Sequence, residues 1–146
     1  MEEQRSPEEM QKIAKIATDF GRYYAEQMGQ SSEETANKII GTIFESTKQE
    51  GTKIVHIDEV LFMVMVRGAG VIEFHNINVP VSVEDMAKYI KKLVDLLKHI
   101  EVKVAFTYSA EEYYMKAVVA TKLDWKAKKV RIKDVKKPIK VYILEL

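Results

Sequence analysis

The stretch VIEFHNINVPVSVEDMAKYIKKLVDLLKHIEVKVAFTY, residues 71–108, decides the fold. It begins with apolar and β-branched residues typical of a strand, and Pro80 ends that strand because proline cannot donate to a ladder. Ser82 followed by Asp85 indicates a helix N-cap, and an apolar stripe at helical spacing follows it. Residues 102–108 return to a strand pattern. A strand–helix–strand crossover of this kind predicts two adjacent, parallel strands.

Two helices are predicted ahead of this stretch. The first begins at Ser6, with Pro7 at its first position, and stops at Gly29. The second begins with Ser31 as its cap and closes at Gly51. Their predicted apolar stripes are Met10, Ile13, Ala14, Ala17, Phe20 and Tyr24 in the first helix, and Ile39, Ile40, Ile43 and Phe44 in the second.

The rest of the chain is predicted from short strands, turns and one further helix. Ser109 caps that helix, which runs to about Leu123. Arg67-Gly68-Ala69-Gly70 is interpreted as a hairpin turn, because it joins two strands and a phosphate-binding glycine loop must open a helix. The strands are predicted at residues 53–57, 60–66, 71–79, 102–108, 129–133 and 139–144.

The resulting order is α-α-β-β-β-α-β-α-β-β. We therefore predict an α/β (α+β) fold, with a mixed, mainly antiparallel sheet flanked by helices. A length of 146 residues suits one domain, residues 1–146.

Composition excludes several classes of protein. The chain has no cysteine, so it has neither a disulfide framework nor thiolate chemistry. No apolar run reaches the length of about 18 residues that indicates a membrane span, and the acidic start MEEQRSPEEM is unlike a signal peptide. We therefore expect a cytoplasmic protein that does not interact with membranes. Three scattered histidines lack zinc-site spacing, so no metal site is predicted.

Basic residues concentrate in residues 116–140, which hold ten Lys or Arg and two Asp, a formal charge of +8. Such a segment can bind the phosphates of nucleic acid or of a nucleotide cofactor. The alternative is a solvated lysine face that keeps an edge hairpin from aggregating. The segment lacks the interleaved aromatic residues that single-strand binders use.

Residues 119–125, Val-Ala-Thr-Lys-Leu-Asp-Trp, resemble the Leu-Tyr-Glu-Lys-Leu-Gly-Phe signature that ends the last long helix of the GCN5-related N-acetyltransferase (GNAT) superfamily. Residues 106–109 lie where the family's fifth strand ends, and residues 141–144 resemble its terminal strand. The element order over residues 54–146 is also similar. The shortened forms encoded by phages and other viruses are the closest in character.

The resemblance implies an acetyl-CoA-dependent transfer to an amine of a small molecule or a protein. In the family, a Glu or His on the fourth strand often acts as general base, which places that role on Glu73 and His75. Their side chains alternate onto one strand face together with Ile77. The alternative is a Glu–His pair that is hydrogen-bonded in a polar pocket and meets no substrate. The residues implied to bind acetyl-CoA are Ile77, Asn78, Val79, Ser82, Val83, Ser109 and Tyr113.

Two features depart from the family. Residues 78–85 contain no glycine where the family holds the pyrophosphate, and Glu84 and Asp85 would compete with a phosphate for the positive helix end. Ala120 stands where the family often has the tyrosine that protonates the leaving thiolate. The prediction is therefore an acyl-CoA-dependent N-acetyltransferase-like protein with weak or lost activity. The alternative is an inactive module of the same fold that binds protein or nucleic acid.

Overall fold

The computed structural model describes residues 5–30, 32–131 and 137–146. Its elements are α1 (Pro7–Gln27), α2 (Glu33–Ser46), β1 (Thr52–Ile57), β2 (Val60–Gly68), β3 (Val71–Asn76), α3 (Val83–His99), β4 (Val104–Thr107), α4 (Glu112–Ala120), β5 (Lys126–Val130) and β6 (Ile139–Glu145). The predicted order of elements is confirmed.

The six strands form one sheet in the order β1-β2-β3-β4-β6-β5. β3 and β4 are parallel neighbours, which confirms the crossover predicted through α3. β6 is antiparallel to both β4 and β5. The predicted class, a mixed and mainly antiparallel sheet flanked by helices, is also confirmed.

The chain divides into two compact units, Met1–Met63 with Asn76–Val79 and Val64–His75 with Pro80–Leu146. In the first unit, α1 buries part of the predicted stripe: Ile13 and Ala17 are buried, Phe20 packs partly buried against the core, and Ala14 is exposed. Met10 and Tyr24 are about half exposed, at 53% and 45%. A Cβ added to Gly21 would lie 2.7 Å from Ile40 Cγ1 and 3.0 Å from the Ala36 carbonyl oxygen, so glycine is what lets the two helices approach. The buried residues of α1 are Ile13, Ala17, Gly21 and Ala25.

The cap of α2 also differs from the prediction. Ser32 Oγ accepts a hydrogen bond from the Thr35 N–H at 3.1 Å, so Ser32 is the cap, and Ser31 lies outside the described residues. The helix ends at Ser46, before Gly51. The core of the first unit contains Ile13, Ala17, Ile43, Ile54, Leu61 and Ile77.

In the second unit, α3 follows the prediction closely. Ser82 Oγ accepts from the Asp85 N–H at 3.1 Å and caps the helix. Five residues of the predicted stripe are buried: Met86, Ile90, Leu93, Val94 and Leu97. The apolar stripe predicted from the sequence is therefore the buried face of this helix.

The start and end of α4 correct two sequence-based boundaries. Ser109 Oγ accepts from the Glu111 N–H at 3.0 Å and makes a local turn, while the helix itself begins at Glu112. It ends at Ala120, because Lys122 takes a left-handed backbone conformation with φ of 59°. Beyond that turn, Trp125 Nε1 donates to Thr121 Oγ1 at 2.9 Å.

Every strand differs from its predicted bounds by at least one residue, and β3 and β5 differ by three at one end. β3 ends at Asn76 and not at Val79, so Ile77 follows the strand. β5 starts at Lys126, three residues earlier than predicted, and residues 132–133 lie outside the described part. Among the helices of the described residues, none combines the length and apolarity that crossing a bilayer requires.

Candidate functional site: a fork between two parallel strands

The parallel strands β3 and β4 stay in paired register over only part of their length. Paired positions run from Val71↔Val104 to Glu73↔Phe106, at a constant offset of 33 residues. β3 nevertheless continues to Asn76 and β4 to Thr107. In the described residues, the paired register therefore ends before either strand does, and the segment beyond it, residues 74–75 with residues 107–108, is called here the fork.

Side chains bridge the fork at the same offset. Thr107 Oγ1 donates to the Phe74 carbonyl at 2.6 Å, across 33 residues. One residue further along, His75 Nδ1 lies 3.1 Å from the Tyr108 carbonyl, again across 33 residues. Thr107 is also within 2.8 Å of the Tyr114 hydroxyl, and both residues are fully buried. Side-chain hydrogen bonds thus hold together the segment where the backbone register has ended.

Glu73 lies at the base of the fork with both carboxylate oxygens engaged. Arg67 Nε donates to Oε1 at 2.9 Å, and His75 Nε2 lies 2.5 Å from Oε2. Only 10% of the Glu73 side chain is exposed. Burial alone would raise the pKa of Glu73, but the hydrogen bonds and charges of His75 and Arg67 outweigh it and lower that pKa. Glu73 is therefore ionised at neutral pH and a weak base.

His75 places both ring nitrogens against acceptors. Nδ1 faces the Tyr108 backbone carbonyl and Nε2 faces the Glu73 carboxylate. A backbone carbonyl and an ionised carboxylate accept hydrogen bonds and cannot donate them, so this arrangement satisfies an imidazole that carries a proton on each nitrogen. About a quarter of the side chain, 27%, is exposed. His75 is thus the member of the pair that reaches solvent.

Tyr108 completes the cluster. Its ring meets that of His75 edge-on, with centroids 4.7 Å apart. Burial, and then the charge and hydrogen bonding of Glu73, raise the pKa of Tyr108. The phenol is therefore protonated at neutral pH.

The structure brings the two predicted catalytic residues, Glu73 and His75, into direct contact. Sequence reasoning missed Arg67 as part of this cluster, although the hairpin it predicted turns β2 back along β3 and so brings a cation near Glu73. For Tyr108, the sequence offered either the lining of a cleft or packing, and no contact with His75. No local sequence signal identifies Tyr108. It lies beside His75 because the parallel strands β3 and β4 pair at an offset of 33 residues.

The residues predicted to bind acetyl-CoA are divided between the two compact units. Ile77, Asn78 and Val79 belong to the first unit, where Ile77 is buried and its N–H donates to the Leu61 carbonyl at 2.8 Å. Asn78 is 1% exposed, its Nδ2 donates to the Val79 carbonyl, and its Oδ1 has no partner among the described residues. A buried acceptor without a partner is unusual in a folded protein.

The other predicted ligands of acetyl-CoA lie in the second unit. Ser82 is engaged in capping α3, and Val83 is the first residue of that helix. Glu84 and Asp85 occupy its first turn, as the sequence indicated. Ser109 makes the turn before α4, and Tyr113 lies in the first turn of that helix.

No protein-family model matches the chain, and no curated protein does so by sequence. Its structure is similar to the PaiA N-acetyltransferase of Thermoplasma acidophilum in complex with coenzyme A, with a TM-score of 0.59 and 10% identity, over 99% of this chain and 97% of that one. An acetyltransferase from Streptococcus agalactiae gives 0.57 and 7% identity, over 100% and 96%. An N-acetyltransferase from Staphylococcus aureus gives 0.55 and 12%, over 98% and 96%. At such low identity the likeness concerns the fold, and the chain has the fold of the GNAT N-acetyltransferases over nearly its whole length.

Proposed function

We propose that the chain is an acyl-CoA-dependent N-acetyltransferase, with the fork between β3 and β4 as its reaction site and an amine as acceptor. The observation that carries the proposal is the early end of the β3–β4 register beside the Glu73–His75 pair. A solved structure of the same fold, PaiA, is a complex with coenzyme A.

His75 is the general base in this proposal, and Glu73 positions it. An acyl chain that enters the fork separates His75 Nδ1 from the Tyr108 carbonyl, whereas Nε2 keeps its hydrogen bond to Glu73. In the neutral ring, Nε2 carries the hydrogen that faces Glu73 and the lone pair of Nδ1 accepts the proton of the amine, while Glu73 fixes the orientation of the ring. Glu73 itself is a poor base, because its pKa is lowered and both of its oxygens are engaged.

The transfer balances as follows. The amine nitrogen forms a bond to the acyl carbon, the C–S bond of the thioester breaks, and its electron pair leaves with sulfur. The proton lost by the nitrogen goes to His75 Nδ1. Since Ala120 offers no acidic hydrogen, the thiolate takes its proton from solvent or from the Tyr108 hydroxyl.

The residues at the start of α3 fit the phosphates of acyl-CoA poorly. At the phosphate end, Glu84 and Asp85 repel the anion, and Ser82 already caps α3. We therefore propose that acetyl-CoA binds weakly, and that transfer is slow at low concentrations of acetyl-CoA.

The first test is thermal unfolding with and without millimolar acetyl-CoA, because a ligand of the native state raises the melting temperature. The second is release of free thiol with a panel of small amines and lysine peptides. His75→Ala should lower kcat/KM by about 10²–10⁴-fold. It should also lower the melting temperature, because the buried Glu73 loses one of its partners. His99→Ala, at the exposed end of α3, is the matched control.

The absence of any shift with acetyl-CoA, or full activity in His75→Ala, would contradict the proposal. The alternative, an inactive module of this fold, would then account for the Glu73–His75 cluster as a structural pair.

A further inference from the structure

β6 pairs with its two neighbours over different lengths. Its register with β4 covers Tyr142–Glu145, whereas its register with β5 begins already at Ile139. Lys128–Val130 and Ile139–Val141 therefore extend past the paired end of β4 as a two-stranded arm, called here the β5–β6 ribbon. β5 is also the last strand in the sheet order, and all five of its residues are exposed.

The β5–β6 ribbon brings cations together without matching acids. Lys129 lies directly opposite Lys140 in the antiparallel register. Like charges in that position destabilise a sheet unless something compensates them. On the described residues of the two strands, the one ion pair is Lys126 Nζ–Glu145 Oε1 at 3.7 Å, at the other end of the hairpin. The cations of the ribbon and its described flanks are Lys128, Lys129, Arg131, Lys137 and Lys140.

Protection of free strand edges accounts for only part of this arrangement. Beyond the paired end of β4, both strands of the ribbon have a free edge, and lysines there prevent pairing with other chains. Edge protection does not require Lys129 and Lys140 to lie directly opposite each other, where they repel. Lys140 Nζ lies 5.5 Å from the centroid of the Tyr142 ring, and a cation–π contact at this distance helps to hold it in place.

We propose that the β5–β6 ribbon binds the phosphate backbone of duplex DNA without sequence preference. A two-stranded ribbon fits the major groove of B-form DNA, whereas the major groove of double-stranded RNA is too deep and narrow for it. The six residues of the ribbon include no aromatic side chain, so stacking on single-stranded bases is not available to it. Recognition is therefore based on the attraction between the cations of the ribbon and the DNA phosphates. This binding does not depend on acetyl transfer.

The test is fluorescence anisotropy of a labelled mixed-sequence duplex of about 25 base pairs, titrated with the full chain between 50 and 200 mM salt. Each phosphate contact contributes about −0.9 to the slope of log K against log salt, so five cations predict a slope of about −4.5. Lys129→Gln/Lys140→Gln should bind more weakly, with a slope shallower by about 2.

Lys38→Gln/Lys48→Gln is the control of equal charge. Both lysines are exposed on or near α2 and pair with Glu34 and Glu45. The control variant should keep the parent's slope of log K against log salt. This result would show that DNA binding depends on the ribbon and not on the net charge of the protein. Circular dichroism of both variants verifies that they are folded.

Three results would overturn the proposal: no binding of the duplex at 50 mM salt, an equal loss in the ribbon and control variants, or tighter binding of polyglutamate than of DNA. Tighter binding of polyglutamate would indicate an acidic protein partner. Aggregation of the ribbon variant without change in DNA affinity would show that these lysines only protect the edge.

Discussion

The fork at the end of β3 and the β5–β6 ribbon both contain several ionisable side chains. The charges are paired at the fork, whereas like charges lie opposite each other on the ribbon. At the fork, the buried Glu73 carboxylate has a partner for each oxygen. On the ribbon, Lys129 and Lys140 face each other in full exposure. Burial is the reason for the difference, because an uncompensated charge is expensive inside a protein and inexpensive in water. The paired contacts at the fork fix the orientation of its side chains. The lysines of the ribbon have no acidic partner on the two described strands and remain able to bind an anion.

The largest expected difference concerns the neutral hydrogen bonds that bridge the fork. Thr107→Val removes the hydroxyl that donates to the Phe74 carbonyl and pairs with Tyr114. The Phe74 carbonyl and the Tyr114 hydroxyl each lose a hydrogen bond, which should lower the free energy of unfolding by about 2–3 kcal/mol. Urea denaturation measures it, with Thr107→Ser as the control that keeps the hydroxyl. Equal stability of the two variants would mean that the bridge contributes nothing.

Glu73→Gln tests the charged part of the fork. It weakens the contacts with Arg67 and His75, and we expect unfolding to become easier by about 1–3 kcal/mol at pH 7.

This loss should depend on pH, because the native pKa of Glu73 lies below its ordinary value of 4.5. A carboxyl with a lowered native pKa stabilises the fold above its unfolded pKa, and the contribution disappears as the pH falls through the native value. Melting temperatures of the parent and Glu73→Gln should therefore converge below pH 4.5. A difference that stays constant from pH 7 to pH 3 would contradict the ionic role.

The ion pair on the hairpin should matter far less. Glu145→Gln breaks the contact with Lys126, but about 70% of each side chain is exposed, at 74% and 69%. Exposed pairs contribute about 0.5 kcal/mol or less, so the change in unfolding free energy should be near zero and should vanish at high salt. A loss of unfolding free energy as large as that of Glu73→Gln would mean that the exposed pair stabilises the protein as much as the buried pair, contrary to this prediction.

A small effect of the opposite sign is expected on the ribbon itself. Lys129→Gln relieves the repulsion with Lys140 and should raise the free energy of unfolding by about 0.2–0.5 kcal/mol. Differential scanning calorimetry of the parent and Lys129→Gln at low salt measures the gain. Destabilisation by this substitution would indicate that the lysine pair is compensated within the fold.

Local patterns were sufficient for much of the architecture. The apolar stripe and the Ser82 cap determined α3, and the crossover rule then made β3 and β4 parallel neighbours. Strand alternation alone placed Glu73 and His75 on one face, where they are in contact. These features follow from the helical period of 3.6 residues and the strand period of 2 residues, and both periods are visible within a short segment of sequence.

Other features were decided by the tertiary structure alone. Nothing near Tyr108 indicates that it meets His75, since the offset of 33 residues results from how the two strands pack. Gly21 reads as an ordinary helix residue until its distance from Ile40 is known. The exposed ribbon likewise arises because β6 pairs with β5 further than with β4. Strand register and the close approach of two helices depend on side chains that are distant in sequence. The periodicity of one segment therefore cannot predict them.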